Sequence, residues 1–184
     1  MGRPAADYRS ERTTRLSEKT GDRTIKTYYD MKKIHYYILP LLLCFALGAL
    51  ASLLQTDSLR EWYPNLIKPA LTPPAIVFPI VWSLLYCCIG ISAGLVLSTC
   101  SPKRHAVMLL WYLQLALNFL WSILFFTLRN PLLALIDIAA LDVLVILYII
   151  FGMRVRRSAA WIMVPYFCWI LFATYLNLYI QVAN

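Results

Sequence analysis

The residues best suited to chemistry in this chain are tryptophans, tyrosines and carboxamides set at helical spacing inside long apolar stretches. Gln114, Asn118, Trp121 and Phe125 fall at i, i+4, i+7 and i+11, which places them on one side of a helix. Tyr166, Trp169, Ala173, Asn177 and Ile180 fall at i, i+3, i+7, i+11 and i+14, a second stripe that mixes phenol, indole and amide. Phe78, Trp82 and Tyr86 recur every four residues, and Asp137 and Tyr148 stand eleven apart. A wall of rings with a few convergent polar groups is the usual lining of a site for a flat apolar molecule. The same faces could instead close on one another, with Gln, Asn and Tyr bonding across helices at roughly 1 kcal/mol per contact. Residue types alone leave both arrangements open.

The remaining reactive side chains point away from metal chemistry. Cys44, Cys87, Cys88, Cys100 and Cys168 lie in or beside apolar segments and show neither CxxC nor Cys/His metal spacing, so they read as small core hydrophobes. His35 and His105 stand at the ends of apolar segments, positions suited to structural or interfacial roles rather than ligation.

The elements that must position these side chains follow from composition. Of 184 residues 61% are hydrophobic and only 14% charged, with a mean hydropathy of +0.66. That is far from the soluble mix of roughly a quarter charged residues, and implies a membrane protein. Apolar segments at 34–54, 75–98, 106–127, 131–153 and 158–181 are each long enough to cross a hydrocarbon core of about 30 Å. Backbone polar groups cannot go unpaired in lipid, so each segment must be a helix. The expected fold is an all-α integral membrane protein, a bundle of five transmembrane helices over residues 34–184, with short connections except for a loop at 55–74. No room is left for a soluble enzyme domain. Gly90 and Gly94 form a GxxxG step and Gly48 with Ser52 a similar one. Each marks close helix approach, either within the chain or at a homodimer seam.

The net charge of +8 does not imply nucleic acid, because the basic residues sit in the tail and loops flanking apolar segments. Residues 1–33 form a charged, apolar-poor tail expected to be disordered, without the apolar region of a secretory signal peptide. The tail, Lys103-Arg104 and Arg154, Arg156 and Arg157 share one side; only Arg60, Lys68 and Arg129 fall on the other. The N-terminus is therefore expected in the cytoplasm.

The long loop makes the chain recognisable. Trp62 to Tyr86 reads WYPNLIKPALTPPAIVFPIVWSLLY. Pro64, Pro69, Pro73 and Pro74 make it stiff and irregular, and Thr72 is placed to cap the following helix with Pro73 in its first turn. The pattern WY..L.KP...PP...F..VW..LY resembles the tryptophan-rich sensory protein family, also called translocator proteins or peripheral-type benzodiazepine receptors. Gln114 to Asn118 with Trp121 and Phe125-Phe126, and Pro165-Tyr166 with Trp169, Phe172-Ala173 and Leu176-Asn177, resemble the same family, so that the likeness spans roughly residues 34–181. The family commonly has an aromatic where this chain has Leu71.

The resemblance implies an inter-helical cavity beneath the 55–74 loop, acting as a lid, that binds porphyrins, cholesterol and benzodiazepine-type ligands. It carries over Tyr63, Trp82, Tyr86, Asn118, Trp121, Trp169 and Ala173 as lining residues, beside Gln114, Phe125, Asp137, Tyr166 and Asn177 from the stripes. Bound porphyrin or haem would rest on stacking and apolar burial, since neither histidine is placed for axial ligation. The sterol pattern of animal members is broken, because Leu178 and Val182 stand where its tyrosine and arginine would be. The expected role is a membrane receptor or transport component for tetrapyrroles, with no obligatory cofactor. The alternatives are light-dependent protoporphyrin degradation through Trp82 and Trp169, a sterol-binding translocator, and a structural protein. A bacterial membrane and a mitochondrial outer membrane both fit.

Two acidic residues share one apolar helix. Asp137 and Asp142 are five positions apart, about 140° around the axis, and cannot face the same way. Asp137 is expected inside the bundle, matching an acidic position of the family. Asp142 is expected to be protonated, or hydrogen-bonded at a helix-helix or subunit contact, because a bare charge in mid-membrane costs a few kcal/mol.

Overall fold

The structure is a computed structural model that describes residues 34–184; the charged tail lies outside the described residues. The chain divides into units Met1–His35 and Tyr36–Asn184, and of the first only Ile34 and His35, the opening residues of α1, are described. Five segments are long and apolar enough to cross a membrane. They comprise α1 (Ile34–Glu61), α2 (Val77–Leu97), α3 (Arg104–Ser122), α4 (Pro131–Met153), and a fifth span made of α5 (Arg157–Ile162) and α6 (Val164–Ala183). Among the described residues there is no strand.

Several boundaries differ from the sequence reading, each for a local reason. α1 continues to Glu61 instead of ending at residue 54, because nothing in QTDSLRE breaks a helix and Ser58 is buried with its hydroxyl donating to the Phe126 carbonyl. The connection to α2 is correspondingly shorter, a 3-10 turn at Tyr63–Asn65 followed by an irregular segment. Thr72 does not cap α2. Its hydroxyl donates to the Pro69 carbonyl at 2.7 Å, closing a turn within the loop, and α2 starts at Val77 without a side-chain cap. Pro79 costs α2 little, since the first-turn N–H groups of a helix have no intrahelical acceptor. α4 starts as its residues dictate, with the Asn130 side chain accepting from the Leu133 N–H at 3.0 Å and Pro131 in the first turn.

The fifth span is broken where one helix was expected. Pro165 has no N–H to give the carbonyl four residues back, and its ring crowds that carbonyl. The helix therefore stops at Ile162 and restarts at Val164. α5 packs against α2 and α4, whereas α6 packs mainly along α4. α3 passes into a π-helical segment at Ile123–Thr127, with the Leu128 N–H reaching the Ile123 carbonyl at 2.9 Å, and ends at Arg129 in the left-handed region at φ 51°.

In lipid the hydrophobic effect gives helices no reason to meet, so close backbone approach and internal hydrogen bonds hold the bundle. α1 joins through a narrow seam following residues 37, 40, 44, 47, 51, 55 and 58. The GxxxG step of α2 is spent within the chain, because a Cβ on Gly90 would stand 2.9 Å from the Leu41 Cα and one on Gly94 would run into the Tyr37 ring. Gly48 of α1 likewise receives the Tyr86 ring. A buried relay ties three helices together. The Ser92 hydroxyl donates to the Ala159 carbonyl at 2.8 Å, so its 2.7 Å contact with Tyr148 is donated by the phenol. The Trp111 indole N–H donates to the Ile89 carbonyl at 3.0 Å, fastening α3 to α2.

Candidate ligand-binding site

The α3 stripe turns inward. Gln114 is fully buried, Asn118, Ser122 and Phe125 nearly so, and Trp121 is half-buried. From α6, Tyr166, Asn177 and Ile180 are buried, while Trp169 and Ala173 are partly buried and packed on the core. Asp137 and Tyr148 of α4 are both buried. The helical phase read from spacing is thus the phase observed.

Two aromatic groups result. At the end formed by the C-termini of α3 and α6, Trp121 stacks on Phe125 with centroids 5.3 Å apart. Trp62 and Tyr63 meet Phe125 edge-on at 5.5 and 6.4 Å. Ala134 and Ile180 complete this cluster. Deeper in the bundle Trp82 lies 5.5 Å from Tyr86 and 6.5 Å from Tyr166. Trp121 packs against both hydrophobic clusters of the interior. Trp169 meets Phe78 at 6.0 Å and Phe172 at 5.7 Å, on the side of α6 that faces α2.

Polar groups thread between the rings. Asn118 Nδ2 donates to the Tyr166 phenol oxygen at 3.2 Å, and the Trp121 indole donates to Asn177 Oδ1 at 3.0 Å. Asn177 in turn donates to the Pro131 carbonyl at 2.8 Å, so both ends of its amide are engaged in joining α3, α4 and α6. Gln114 differs. Neither its amide nitrogen nor its oxygen has a partner among the described residues, and Asp137 Oδ2 is also unpaired. An unpaired buried amide costs about 1–3 kcal/mol. The bundle thus keeps polar groups in its interior that its own side chains do not satisfy.

The loop over this end is moored at its first half. Lys68 donates to the Tyr63 and Pro64 carbonyls at 2.7 and 3.1 Å and lies 4.7 Å over the Tyr63 ring. Burial pushes the Tyr63 phenol pKa above its ordinary value. The Asn184 side chain grips both backbone groups of Ile67, accepting from its N–H at 2.9 Å and donating to its carbonyl at 3.2 Å.

Residues 40–183 match the sequence profile of the TspO/MBR family. The chain belongs to that family. A tryptophan-rich protein TspO of Archaeoglobus fulgidus is 41% identical over 144 residues, covering 78% of this chain and 94% of that protein. The protein of the same description from Chlorobaculum tepidum is 36% identical over 144 residues, covering 77% and 91%. The translocator protein of Homo sapiens is 33% identical over 120 residues, covering 64% and 71%. These likenesses support a membrane receptor or transport-type role for this TspO/MBR chain.

Some contributors carried no sequence signal strong enough to single them out. Phe45 meets Tyr86 edge-on at 5.9 Å from α1, but it stands in an unbroken apolar run. Gln55 accepts from Ser122 at 3.3 Å from a stretch that read as loop. Thr174, the partner of Asp142, looked like one more small residue. No group of three or more His, Cys, Asp or Glu side chains able to hold a metal occurs among the described residues.

Proposed function

We propose that this protein binds tetrapyrroles, and flat apolar molecules of similar size, among α2, α3, α4 and α6 as a receptor or carrier in its membrane. The observation that carries the reading is Gln114. A fully buried amide with both ends unpaired, on the same stripe as Asn118 and Trp121, is a poor choice for a packed seam and a good one for meeting a ligand's polar edge. The rings of Trp82, Tyr86, Trp121 and Tyr166, the last bonded to Asn118 on the same stripe, supply stacking faces. Both histidines stand at helix starts, so a metal-free porphyrin held by stacking and burial fits these residues better than an axially ligated haem. The reading also carries an orientation, with the basic loops between α2 and α3 and between α4 and α5 in the cytoplasm.

Titration of purified protein with protoporphyrin in the dark, followed by tryptophan quenching, tests it. Saturable quenching is expected, and Trp82→Phe with Trp169→Phe should weaken affinity about tenfold, the loss of roughly 1.4 kcal/mol of stacking. Quenching that never saturates, or an unchanged affinity in the double variant, would refute the assignment.

A further inference from the structure

The break at Pro165 leaves a mark on the membrane-facing surface. α5 stays against α2 while α6 follows α4, and the two walls part to leave a groove of about 540 Å³ between α2 and α6. Its lining is almost wholly apolar, with Leu84, Leu85 and Cys88 on the α2 wall and Pro165, Cys168 and Trp169 on the α6 wall. Leu84 and Cys168 are exposed at its rim, Cys88 is half-buried and Leu85 is buried at its floor. The volume falls within the range of small-molecule sites, about 300–1,000 Å³. Trp169 borders both the groove and the core, for the indole that lines the groove also packs on the buried cluster and meets Phe78 edge-on.

We propose that the groove between α2 and α6 is a lateral portal, in which a flat apolar ligand dissolved in the bilayer docks before passing Trp169 into the bundle. The proposal rests on the interior binding reading given above. Three features favour this route over the loop. The ligand class partitions into hydrocarbon, where the groove already lies. The loop is held by the Asn184 grip and by the packing of Trp62 and Tyr63 on Phe125. The helix restart at Val164 is a ready hinge, since the helical run that would resist movement of α6 is already interrupted at Met163.

A portal has a kinetic signature that a binding site lacks. It alters association and dissociation by the same factor and leaves their ratio, the Kd, untouched. Leu84→Trp and Cys168→Phe fill the groove from opposite walls at lipid-exposed positions. Stopped-flow quenching with protoporphyrin in nanodiscs, in the dark, should show both rate constants falling about tenfold in each variant, with equilibrium Kd within twofold of the parent. The equilibrium value doubles as a check that each variant is folded. Unchanged rates in both variants would overturn the proposal and direct uptake to the loop. A weakened Kd at unchanged association rate would also overturn it, making the groove part of the resting site. Absence of saturable binding in the unmodified protein would instead defeat the interior reading on which the portal depends.

Discussion

At the scale of single residues, the two acids of α4 show how far spacing carries and where it stops. Their 140° separation put Asp137 inside, where it is buried, and left Asp142 in need of a partner. That partner is Thr174, whose hydroxyl lies 2.8 Å from Asp142 Oδ2 and also 2.9 Å from the Ile170 carbonyl. One hydroxyl proton cannot serve two acceptors in full. A proton on the carboxylic acid, donated to Thr174 while Thr174 donates to Ile170, gives each hydroxyl proton an acceptor, and leaves Asp142 Oδ1 without a partner among the described residues. Asp142→Asn can replace that donor and should shift the melting temperature in detergent by no more than a degree or two. Asp142→Leu removes one of the polar ties between α4 and α6, leaving that from Asn177 to the Pro131 carbonyl, and should cost about 1 kcal/mol. A more stable Leu variant would show the acid to be an unpaired burden. The sequence offered no comparable way to find Thr174, since one hydroxyl on an apolar helix usually bonds to its own backbone, and this one does that as well.

Elements were legible wherever periodicity or hydropathy defined them and obscure wherever one backbone group decided them. Five spans and the inward faces of α2, α3, α4 and α6 were readable because lipid forces helices and punishes outward-facing amides. The α5/α6 break was in principle visible in Pro165, but an apolar run hides a proline that neighbouring helices can accommodate. The π-helical end of α3 had no signal, being set by how Phe125, Phe126 and Arg129 meet the end of α1. Arg129 there adopts a positive φ that costs a side-chain-bearing residue about 1 kcal/mol or more. Its ion pair with Glu61, 3.7 Å between exposed groups, returns little. Arg129→Gly should therefore raise stability by about 1 kcal/mol in thermal unfolding. A loss of that size would mean that the Glu61 pair carries the junction.

For the whole molecule, the proposed function sets stability and binding against each other in the same interior, with Gln114 as the position where they would meet. A bundle optimised only for packing would carry leucine there. The family resemblance pointed to the region and the stripes to the face, and the amide left unpaired at both ends is what singles out Gln114 for the proposed site. Gln114→Leu is therefore the most direct measurement of the account. Its melting temperature without ligand and its protoporphyrin affinity in the dark should be compared with the parent. The account predicts an apoprotein more stable by about 1–3 kcal/mol, as the unsatisfied amide is removed, together with porphyrin binding weakened about tenfold or more. A variant that gains stability and binds as tightly as the parent would contradict it, making Gln114 a packing defect rather than part of a ligand site.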